Sequence, residues 1–352
     1  MPTPISIERY TIDTNQPCFI IAEAGVNHNG DEAIARELVE QAAKTGAHCV
    51  KFQTFSAERV VTRDAPKADY QLKTTNPQES QIEMLKKLVL PVDAYERLMQ
   101  QTRDLGMVFM STPYSEEDVD FLDELGVSAF KLASIHLAEP YFLQYVARKG
   151  KPMIVSTGMA TLAEVDVAVR AIRETGNEQV ILLQCTTNYP SRAEDANLRT
   201  ITTMRHAFDV HVGYSDHTQT DTACIASIAL GACVIEKHFT LDPSMSGPDQ
   251  TTSYDPPAFT RLVQAIQETE TLMGSAIKQP TAVELVNAKG MRRSIATKRA
   301  IKVGETLTAD MLTFKRPASG LKPVFLSQLV GKTVVTDLPQ DTFIAWEHIG
   351  DE

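Results

Sequence analysis

Cysteine pairs of the CxxC kind are missing from this chain of 352 residues. The five cysteines are Cys18, Cys49, Cys185, Cys224 and Cys233. Most of them lie within apolar runs, which is typical of buried thiols in a reducing compartment. The spacing therefore excludes a disulfide framework and a cysteine-rich metal site.

Positive charge is also scarce, because 34 Lys and Arg stand against 45 Asp and Glu and the net charge is -11. A nucleic-acid-binding surface is normally basic, so we expect no nucleic-acid partner. A local cluster of Lys and Arg can still hold an anionic substrate. The opening MPTPISIERY has no signal pattern, and no apolar run approaches the length that spans a membrane. We expect a cytoplasmic protein without a membrane segment.

What the sequence does contain is a repeated alternation of apolar strand patterns and helical patterns. Eight such units, most joined by short turns, predict an α/β fold of the (β/α)8 TIM-barrel type. A doubly wound sheet is the alternative, and the count of eight favours closure into a barrel. The predicted strands are residues 18–24, 49–53, 107–111, 129–132, 153–156, 180–184, 210–214 and 234–236.

The length and the change of pattern near the C-terminus predict two domains. Residues 1–273 form the predicted barrel, residues 274–292 a linker, and residues 293–352 a small β-rich domain with short strand runs such as SIATKRAI, KTVVT and TFIAW. Inside the barrel domain, residues 54–80 form a polar excursion that is longer than usual, which indicates function or mobility.

Two histidines follow successive predicted strands, His217 after the seventh and His238 after the eighth. The C-terminal ends of neighbouring parallel strands meet at one edge of the sheet, so both imidazoles should face one cleft. Together with the nearby Asp216 and Glu236 they suit a divalent transition metal with open positions for water or substrate. Two unrelated histidines are the alternative, and their place at consecutive strand ends argues against it.

Nearly every other predicted strand also ends in polar or ionisable side chains. In a barrel these ends converge on one mouth, where the active sites of such folds lie. Two lysines with several hydroxyls, and no GxxxxGK[ST] loop, favour a small phosphorylated carboxylate over a nucleotide. The residue types alone leave open a Schiff-base aldolase that uses Lys131 or Lys51. The polar strand-end residues include Glu23, Lys51, Gln53, Thr112, Lys131, Ser134, His136, Ser156, Thr187, Tyr189 and Ser215.

Eight motifs, in order and in register, resemble the sialic acid synthase family: IIAEAGVNHNG, VKFQT, STPYS, FKLAS, STGMA, QCTTNYP, GYSDHT and IEKHFTLD. The C-terminal module resembles that family's antifreeze-like (SAF) domain, including the KRP turn at residues 315–317. The resemblance implies a metal-dependent condensation of phosphoenolpyruvate with an N-acetylated mannose-type sugar. The expected products are a nine-carbon 2-keto acid and phosphate, which is released by C–O cleavage.

The resemblance also implies roles for individual residues. His217 and His238 match the ligands of a divalent metal, Mn²⁺ or Mg²⁺, and Glu23 matches a carboxylate at the reacting centre. Arg316 matches an arginine that reaches from the small domain into the barrel of a partner subunit, which implies a domain-swapped homodimer. The matching phosphoenolpyruvate pocket consists of Lys51, Thr112, Lys131, Ser134, Ser156 and Ser215, and the matching sugar contacts are Gln53, Tyr189 and Asp249.

The chain departs from the family pattern where the acceptor sugar would bind. Ile135 and His136 stand where many members have Gly-Glu or Phe-Glu. Thr187 stands where Asn is frequent, and the sequence GPDQTTS, with Gln250, replaces GPDHKAS. N-acetylmannosamine, giving N-acetylneuraminate, is the expected acceptor. A 2,4-diacetamido-2,4,6-trideoxyhexose, giving legionaminic or pseudaminic acid, is the alternative. A barrel that serves only as a scaffold is a further alternative, against which the retained histidines, lysines and Glu23 argue.

Overall fold

The structure is a computed structural model that describes residues 2–76 and 78–350. Met1 and Pro77, which fall in the predicted barrel domain, lie outside the described residues, as do the last two residues of the predicted β-rich domain, Asp351 and Glu352. The chain divides into two compact units, Met1–Gly274 and Ser275–Glu352.

Eight parallel strands form the core of the first unit. The strands of the described residues are Ile5–Ile7 (β1), Tyr10–Ile12 (β2), Phe19–Gly25 (β3), Cys49–Thr54 (β4), Val108–Pro113 (β5), Phe130–Leu132 (β6), Met153–Ser156 (β7), Val180–Cys185 (β8), His211–Asp216 (β9), Val234–His238 (β10), Ser294–Thr297 (β11) and Leu312–Lys315 (β12). The hydrogen-bonded order of the eight parallel strands is β5-β4-β3-β10-β9-β8-β7-β6, and the outer strands β5 and β6 lie against each other, so the sheet is a nearly closed barrel.

A helix follows each barrel strand before the next one begins, with short 3-10 turns in some loops. The predicted barrel is therefore confirmed, and the doubly wound alternative is excluded. The α-helices are Glu32–Thr45 (α1), Ala57–Val60 (α2), Asp69–Thr74 (α3), Gln81–Lys86 (α4), Val92–Asp104 (α5), Glu116–Leu125 (α6), Pro140–Ala147 (α7), Leu162–Arg173 (α8), Arg199–Phe208 (α9), Thr222–Ala229 (α10), Pro256–Met273 (α11), Ala282–Met291 (α12) and Leu326–Leu329 (α13).

Local signals in the sequence explain where α1 begins and ends. The side chain of Asp31 accepts hydrogen bonds from the backbone N–H groups of Ala33 and Ile34, which the first helical turn leaves without partners. Gly46 ends the helix in the left-handed conformation, with φ of 85°. The buried side chains Leu38 and Val39 then pack the helix on the barrel.

The core has two layers. Side chains that point outward from the strands pack against the surrounding helices, as Val50 and Phe109 do. Side chains at the starts of the strands point inward and contact the β1–β2 hairpin, whose Ile7 is fully buried. The hairpin thus closes the N-terminal end of the barrel, and the opposite end is where the polar strand ends lie.

The polar excursion predicted at residues 54–80 is folded and carries α2 and α3, with α4 directly after it. Ser80 and Glu83 form a capping box at the start of α4. An apolar cluster of Val26, Phe55 and Leu88 holds the segment over the mouth of the barrel. We call residues 55–90 the lid segment.

The second unit contains the antiparallel pair of β11 and β12 around a small core that includes Ile295 and Ile344. Strands were predicted for KTVVT and TFIAW, but in the structure these segments pair only at isolated bridges, such as Thr306 with Thr333. Gly331 and Asp341, both with positive φ, directly precede the two segments.

In the segment predicted as a linker, residues 282–291 form the exposed helix α12. Its capping box, Thr281 with Glu284, is a helix-start signal that can be read in the sequence. Among the described residues, no helix combines the length and the apolar character needed to cross a lipid bilayer.

Candidate active site

A cavity of about 360 Å³ opens at the C-terminal end of the barrel strands. All eight strands, or the turns that follow them, contribute to its lining, as does the lid segment. The structure brings most of the predicted site residues together here. Those that line the cavity are Glu23, Lys51, Gln53, Thr112, Lys131, Ser134, Ser156, Thr187, Tyr189, Ser215, His217, His238 and Asp249.

His136 is not brought to this cavity, although it was predicted to contact the substrate. Its ring lies beside Phe142 and Tyr114, with centroids 4.5 and 5.6 Å away, and its Nδ1 lies 2.8 Å from Glu139. Its neighbour Ile135 lines the cavity instead. The short 3-10 turn that follows β6 explains the exchange, because it points adjacent side chains in different directions.

Arg316 belongs to the second unit, where it is an exposed residue of the turn after β12. Its predicted contact with the barrel of a partner subunit stays a prediction.

Two lysines and two carboxylates form a buried cluster on the floor of the cavity. Lys51 Nζ lies 2.7 Å from Glu23 Oε2 and 3.8 Å from Glu236 Oε2. Lys131 Nζ lies 3.4 Å from Glu236 Oε1. Glu236 therefore lies between both ammonium groups, while Glu23 pairs with Lys51 and accepts a hydrogen bond from Gln53 at 3.4 Å.

The two carboxyl groups consequently differ in their pKa values. Burial raises the pKa of Glu23 to about 7, with the negative charge of Glu236 adding to the effect and Lys51 opposing it. Burial also acts to raise the pKa of Glu236, but Lys131 and Lys51 outweigh it and lower that pKa to about 2. Near neutral pH, Glu236 is ionised and Glu23 exchanges its proton readily.

Burial acts in the opposite direction on the pKa values of the two lysines. It lowers the pKa of Lys131, which Glu236 only partly offsets. Burial also acts to lower the pKa of Lys51, but Glu23 and Glu236 raise it above the usual value. Lys51 is therefore the more firmly charged of the two.

Hydroxyl groups of neighbouring strands surround the charged cluster. Lys51 donates to Thr112 Oγ1 at 3.0 Å, and Lys131 donates to Ser156 Oγ at 2.8 Å. Ser215 donates to Glu236 Oε1 at 2.8 Å. Each of these contacts joins residues of two neighbouring strands, so the parallel pairing of the strands brings them together.

Gly158 lets two further hydroxyl groups approach the backbone. Its N–H donates to Ser134 Oγ at 2.9 Å. A Cβ atom at this position would lie 2.3 Å from Thr187 Oγ1 and 2.7 Å from Ser134 Oγ. Only glycine fits between these two side chains without moving them.

The two predicted metal ligands lie side by side at the mouth. The ring centroids of His217 and His238 are 5.3 Å apart, and the ring of Tyr189 lies 4.1 Å from the first and 5.5 Å from the second. His217 Nδ1 donates to the carbonyl of Thr186 at 2.7 Å. Burial acts to lower the pKa of His217, but the neighbouring Cys185 raises it above the usual value, so a cation would displace a proton from Nε2. Once that proton is lost, the Nδ1 bond leaves the lone pair on Nε2, the arrangement of a metal-binding histidine.

His238 has the neutral state that a metal ligand needs. Burial, with the neighbouring His217, holds the pKa of His238 well below its usual range, so the imidazole is neutral. Its buried Nδ1 makes no hydrogen bond to any residue that the structure describes, and Asp249 Oδ2 lies 3.9 Å from it. The pair therefore fits a divalent cation.

Within residues 2–76 and 78–350, no group of three or more His, Cys, Asp or Glu side chains could hold a metal ion. A cation held by the two histidines would complete its coordination with oxygen atoms of water or substrate. Burial raises the pKa of the nearby Asp249 to about 6, against the opposing charges of His217 and Lys51.

One wall of the cavity is apolar, which the sequence analysis did not predict. It is formed by the lid segment together with the turns after three strands. These apolar lining residues are Val26, Phe55, Val60, Met84, Leu85, Leu88, Ile135 and Met159.

Glu236 was predicted only as a carboxylate near the two histidines, and its contacts with both lysines were not predicted. Residues i and i+2 of a strand share a face, so this spacing could have identified it. The lid residues carry no such signal, since the fold of the segment decides which of them face the cavity.

The chain is similar to known proteins along most of its length. The NeuB family model matches residues 38–278, and the SAF domain model matches residues 292–350. An N,N'-diacetyllegionaminic acid synthase of Legionella pneumophila is 42% identical over 96% of both chains. The enzyme of the same name from Campylobacter jejuni is 42% identical over 93% of this chain and 98% of its own.

A solved structure agrees with these matches. The N-acetylneuraminic acid synthetase of Leptospira borgpetersenii superposes with a TM-score of 0.74 and 29% identity, over 82% of this chain and 95% of that one. The cavity with its strand-end residues is thus carried by a chain whose relatives are acid synthases of this type. The chain belongs to the NeuB family of sialic, legionaminic and pseudaminic acid synthases, which condense phosphoenolpyruvate with an amino sugar, and it carries a SAF domain.

Proposed function

We propose that this chain condenses phosphoenolpyruvate with a 2,4-diacetamido-2,4,6-trideoxyhexose to give a legionaminic or pseudaminic acid and phosphate. The buried lysine and carboxylate cluster supports the donor, and the apolar wall beside it supports the acceptor. Two relatives that are each 42% identical to this chain carry the name of the legionaminic acid product.

For the donor, the proposal places the phosphate and carboxylate groups of phosphoenolpyruvate against Lys51 and Lys131. These ammonium groups are buried and held before substrate arrives, so they stabilise negative charge without reorganisation during the reaction. The hydroxyl groups of Thr112 and Ser156, already bonded to the lysines, add further donors.

In the reaction, C3 of phosphoenolpyruvate forms a bond to the aldehyde carbon of the open-chain sugar, and water adds to C2. The resulting tetrahedral carbon expels phosphate with cleavage of the C–O bond. Glu23, with a pKa of about 7, takes up the proton that the added water releases and returns it to the alkoxide oxygen formed from the aldehyde. The C2 hydroxyl gives its proton to the departing phosphate and becomes the keto group. Glu236 stays ionised and holds both lysines in place.

We further propose that His217 and His238 hold a divalent cation, Mn²⁺ or Mg²⁺. When bound, such an ion supplies Lewis acidity that polarises the aldehyde oxygen of the sugar. The His217→Ala variant should fold normally and lose Mn²⁺ binding and turnover together. A folded variant with full activity would refute the assignment.

The acceptor assignment follows from the chemistry of the apolar wall. A trideoxyhexose carries a methyl group at C6 and a second acetamido methyl, where N-acetylmannosamine carries hydroxyl groups. Burying a methyl group against Ile135, Met159 or the lid is favourable, whereas an unpaired hydroxyl group there is costly. N-acetylmannosamine is the second candidate acceptor, because the superposed structure from Leptospira is named for N-acetylneuraminic acid, the product that this acceptor gives.

The proposal includes a second copy of the chain. Arg316 is exposed in the turn that follows β12, as an arginine that binds an N-acetyl group of another subunit's substrate must be. A homodimer that exchanges this residue would therefore complete each site.

The proposal is tested by measuring phosphate release from phosphoenolpyruvate with Mn²⁺ and a panel of amino sugars. We expect the largest kcat/KM with a 2,4-diacetamido-2,4,6-trideoxyhexose. A larger value with N-acetylmannosamine would assign the second candidate, and no release with any sugar would favour a scaffold. Borohydride treatment with substrate distinguishes the aldolase alternative, because only an imine at Lys131 or Lys51 would be trapped.

A further inference from the structure

A second buried charge pair lies on the outer side of the barrel wall, behind the two histidines. Asp216 and Lys237 are register partners of β9 and β10. Successive side chains of a strand point to opposite faces. Ser215 and Glu236 therefore point into the cavity, while Asp216 and Lys237 point outward toward the helices.

The pair is unusually well buried for two charged groups, since each residue is 1% exposed. Lys237 Nζ lies 2.6 Å from Asp216 Oδ2 and donates to the carbonyl of Thr218 at 2.6 Å. The ring of Tyr254 lies over the same ammonium group at 4.3 Å. All these partners come from outside the catalytic cavity, and the proposed reaction uses none of them.

The contacts of Asp216 enclose the turn that carries His217. One carboxylate oxygen accepts from the backbone N–H of Thr218 at 2.8 Å, and the other accepts from the Thr218 hydroxyl at 3.2 Å. The residues immediately before and after His217 are thus tied to each other. Lys237 fixes the same turn from the neighbouring strand through the Thr218 carbonyl.

The contacts of Lys237 also fix the strand end that carries His238. Lys237 directly precedes His238, and the backbone N–H of Tyr254 donates to the His238 carbonyl at 2.9 Å. Tyr254 OH in turn donates to Asp221 Oδ1 at 2.8 Å. One ammonium group therefore connects the supports of both imidazoles.

We propose that the Asp216–Lys237 pair is a positioning device that sets the separation and orientation of His217 and His238 and so determines the affinity for the divalent cation. The proposal rests on the metal site of the proposed function. A buried ion pair is weak evidence for stability, because desolvation offsets the attraction, but it can fix one geometry among several. Its position here, beside both ligands and outside the cavity, gives it that role.

The test replaces Lys237 with methionine, which keeps most of the stem and removes the charge. The Mn²⁺ dissociation constant is measured by isothermal titration calorimetry on the metal-stripped full chain. We expect it to rise about 10- to 100-fold, the usual effect of removing a support behind a metal ligand. Saturating Mn²⁺ should restore most of kcat, because no group that touches substrate has changed.

Lys149→Met is the matched control. Lys149 also lies 2.6 Å from a carboxylate, that of Asp120, and 5.4 Å from the ring of Tyr145. It lies in the turn before β7, at the opposite end of the barrel. Its removal should leave the Mn²⁺ affinity unchanged.

Lys237→Met leaves the buried carboxylate of Asp216 without its cationic partner and can unfold the protein for that reason alone. The double variant Asp216→Asn with Lys237→Met removes both charges, and it should fold and still bind Mn²⁺ weakly. Wild-type affinity in either folded variant would overturn the inference alone. Loss of fold in both variants would assign the pair to barrel stability and overturn it too. No Mn²⁺ binding by the wild type would overturn the metal assignment and this inference together.

Discussion

Glu23 and Lys51 are register partners on β3 and β4, and their side chains form a buried ion pair of 2.7 Å at the mouth of the barrel. The pair does not make Glu23 a strong acid, because burial and Glu236 raise its pKa to about 7. A carboxyl group whose pKa is higher in the folded than in the unfolded protein makes the free energy of unfolding depend on pH.

The pKa of Glu23 predicts how the stability of the metal-free protein changes with pH. A folded pKa above the ordinary 4.5 gives stability that is complete below 4.5 and is lost as the pH rises through 7. Relative to Glu23→Gln, the wild type should therefore lose up to about 3 kcal/mol in the free energy of unfolding across this range. Urea unfolding of both proteins at several pH values measures the difference in the free energy of unfolding. The contributions of Asp249 and the histidines are common to both proteins and cancel. A constant difference would contradict the pKa.

Lys131→Met should weaken the use of phosphoenolpyruvate. The substitution removes an ammonium group that lies 2.8 Å from Ser156 Oγ and 3.4 Å from Glu236. Losing one charge-assisted contact should lower kcat/KM for phosphoenolpyruvate about 10- to 100-fold, while the KM of the acceptor changes little. Steady-state kinetics with both substrates measures this. Lys151→Met, which loses a 2.6 Å pair with Asp123, is the control and should act as wild type.

Gly158→Ala should disturb the site more than the fold. The new Cβ would force the hydroxyl groups of Ser134 and Thr187 to turn away. Losing one or two neutral hydrogen bonds to substrate should raise the KM for phosphoenolpyruvate about 3- to 10-fold, with little change in Tm. Gly290→Ala is the matched control, because a Cβ there meets no atom within 4 Å. Removing the Thr187 side chain in the Gly158→Ala background should relieve the closest clash.

Arg316→Ala should raise the KM of the acceptor sugar about 10- to 100-fold and that of phosphoenolpyruvate much less. The reason is that the arginine is proposed to bind the N-acetyl group alone. Arg299→Ala in the same unit, where Arg299 pairs with Glu305 at 2.8 Å, is the control.

Subunit mixing tests the exchange of Arg316 between copies. Arg316→Ala alone should need a high acceptor concentration, and His217→Ala alone should be inactive. A mixture of the two chains should regain activity at a low acceptor concentration, because one site of the mixed dimer is complete. Equal effects of Arg316→Ala on both KM values, or no gain of activity at low acceptor concentration after mixing, would contradict the proposal.

Strong local patterns predicted most of the barrel. Helix α1 carries its own boundary signals in the sequence, because Asp31 caps its start and Gly46 ends it. The strand bodies were predicted because each is a short apolar run between polar turns. Such signals depend on near neighbours in the chain and are therefore visible in the sequence.

Contacts between distant residues were less accessible to prediction. The adjacent Ile135 and His136 could both have faced the substrate, and the 3-10 turn after β6 decided between them. The apolar wall was missed for the same reason, since the helices of the lid segment must pack on Val26 and Phe55 before Met84 or Leu85 can reach the cavity.

The sequence by itself determined the eight strand and helix units, the polar residue at each strand end and the resemblance to a family, because periodicity and motif order are properties of a linear chain. Only the tertiary structure decided that Glu236 lies between Lys51 and Lys131, which lower its pKa, while burial raises the pKa of Glu23. It also decided that Asp216 and Lys237 lie behind the histidines. These relationships arise when the sheet closes and removes the charges from water, so that distance and desolvation, rather than order in the chain, set their strength.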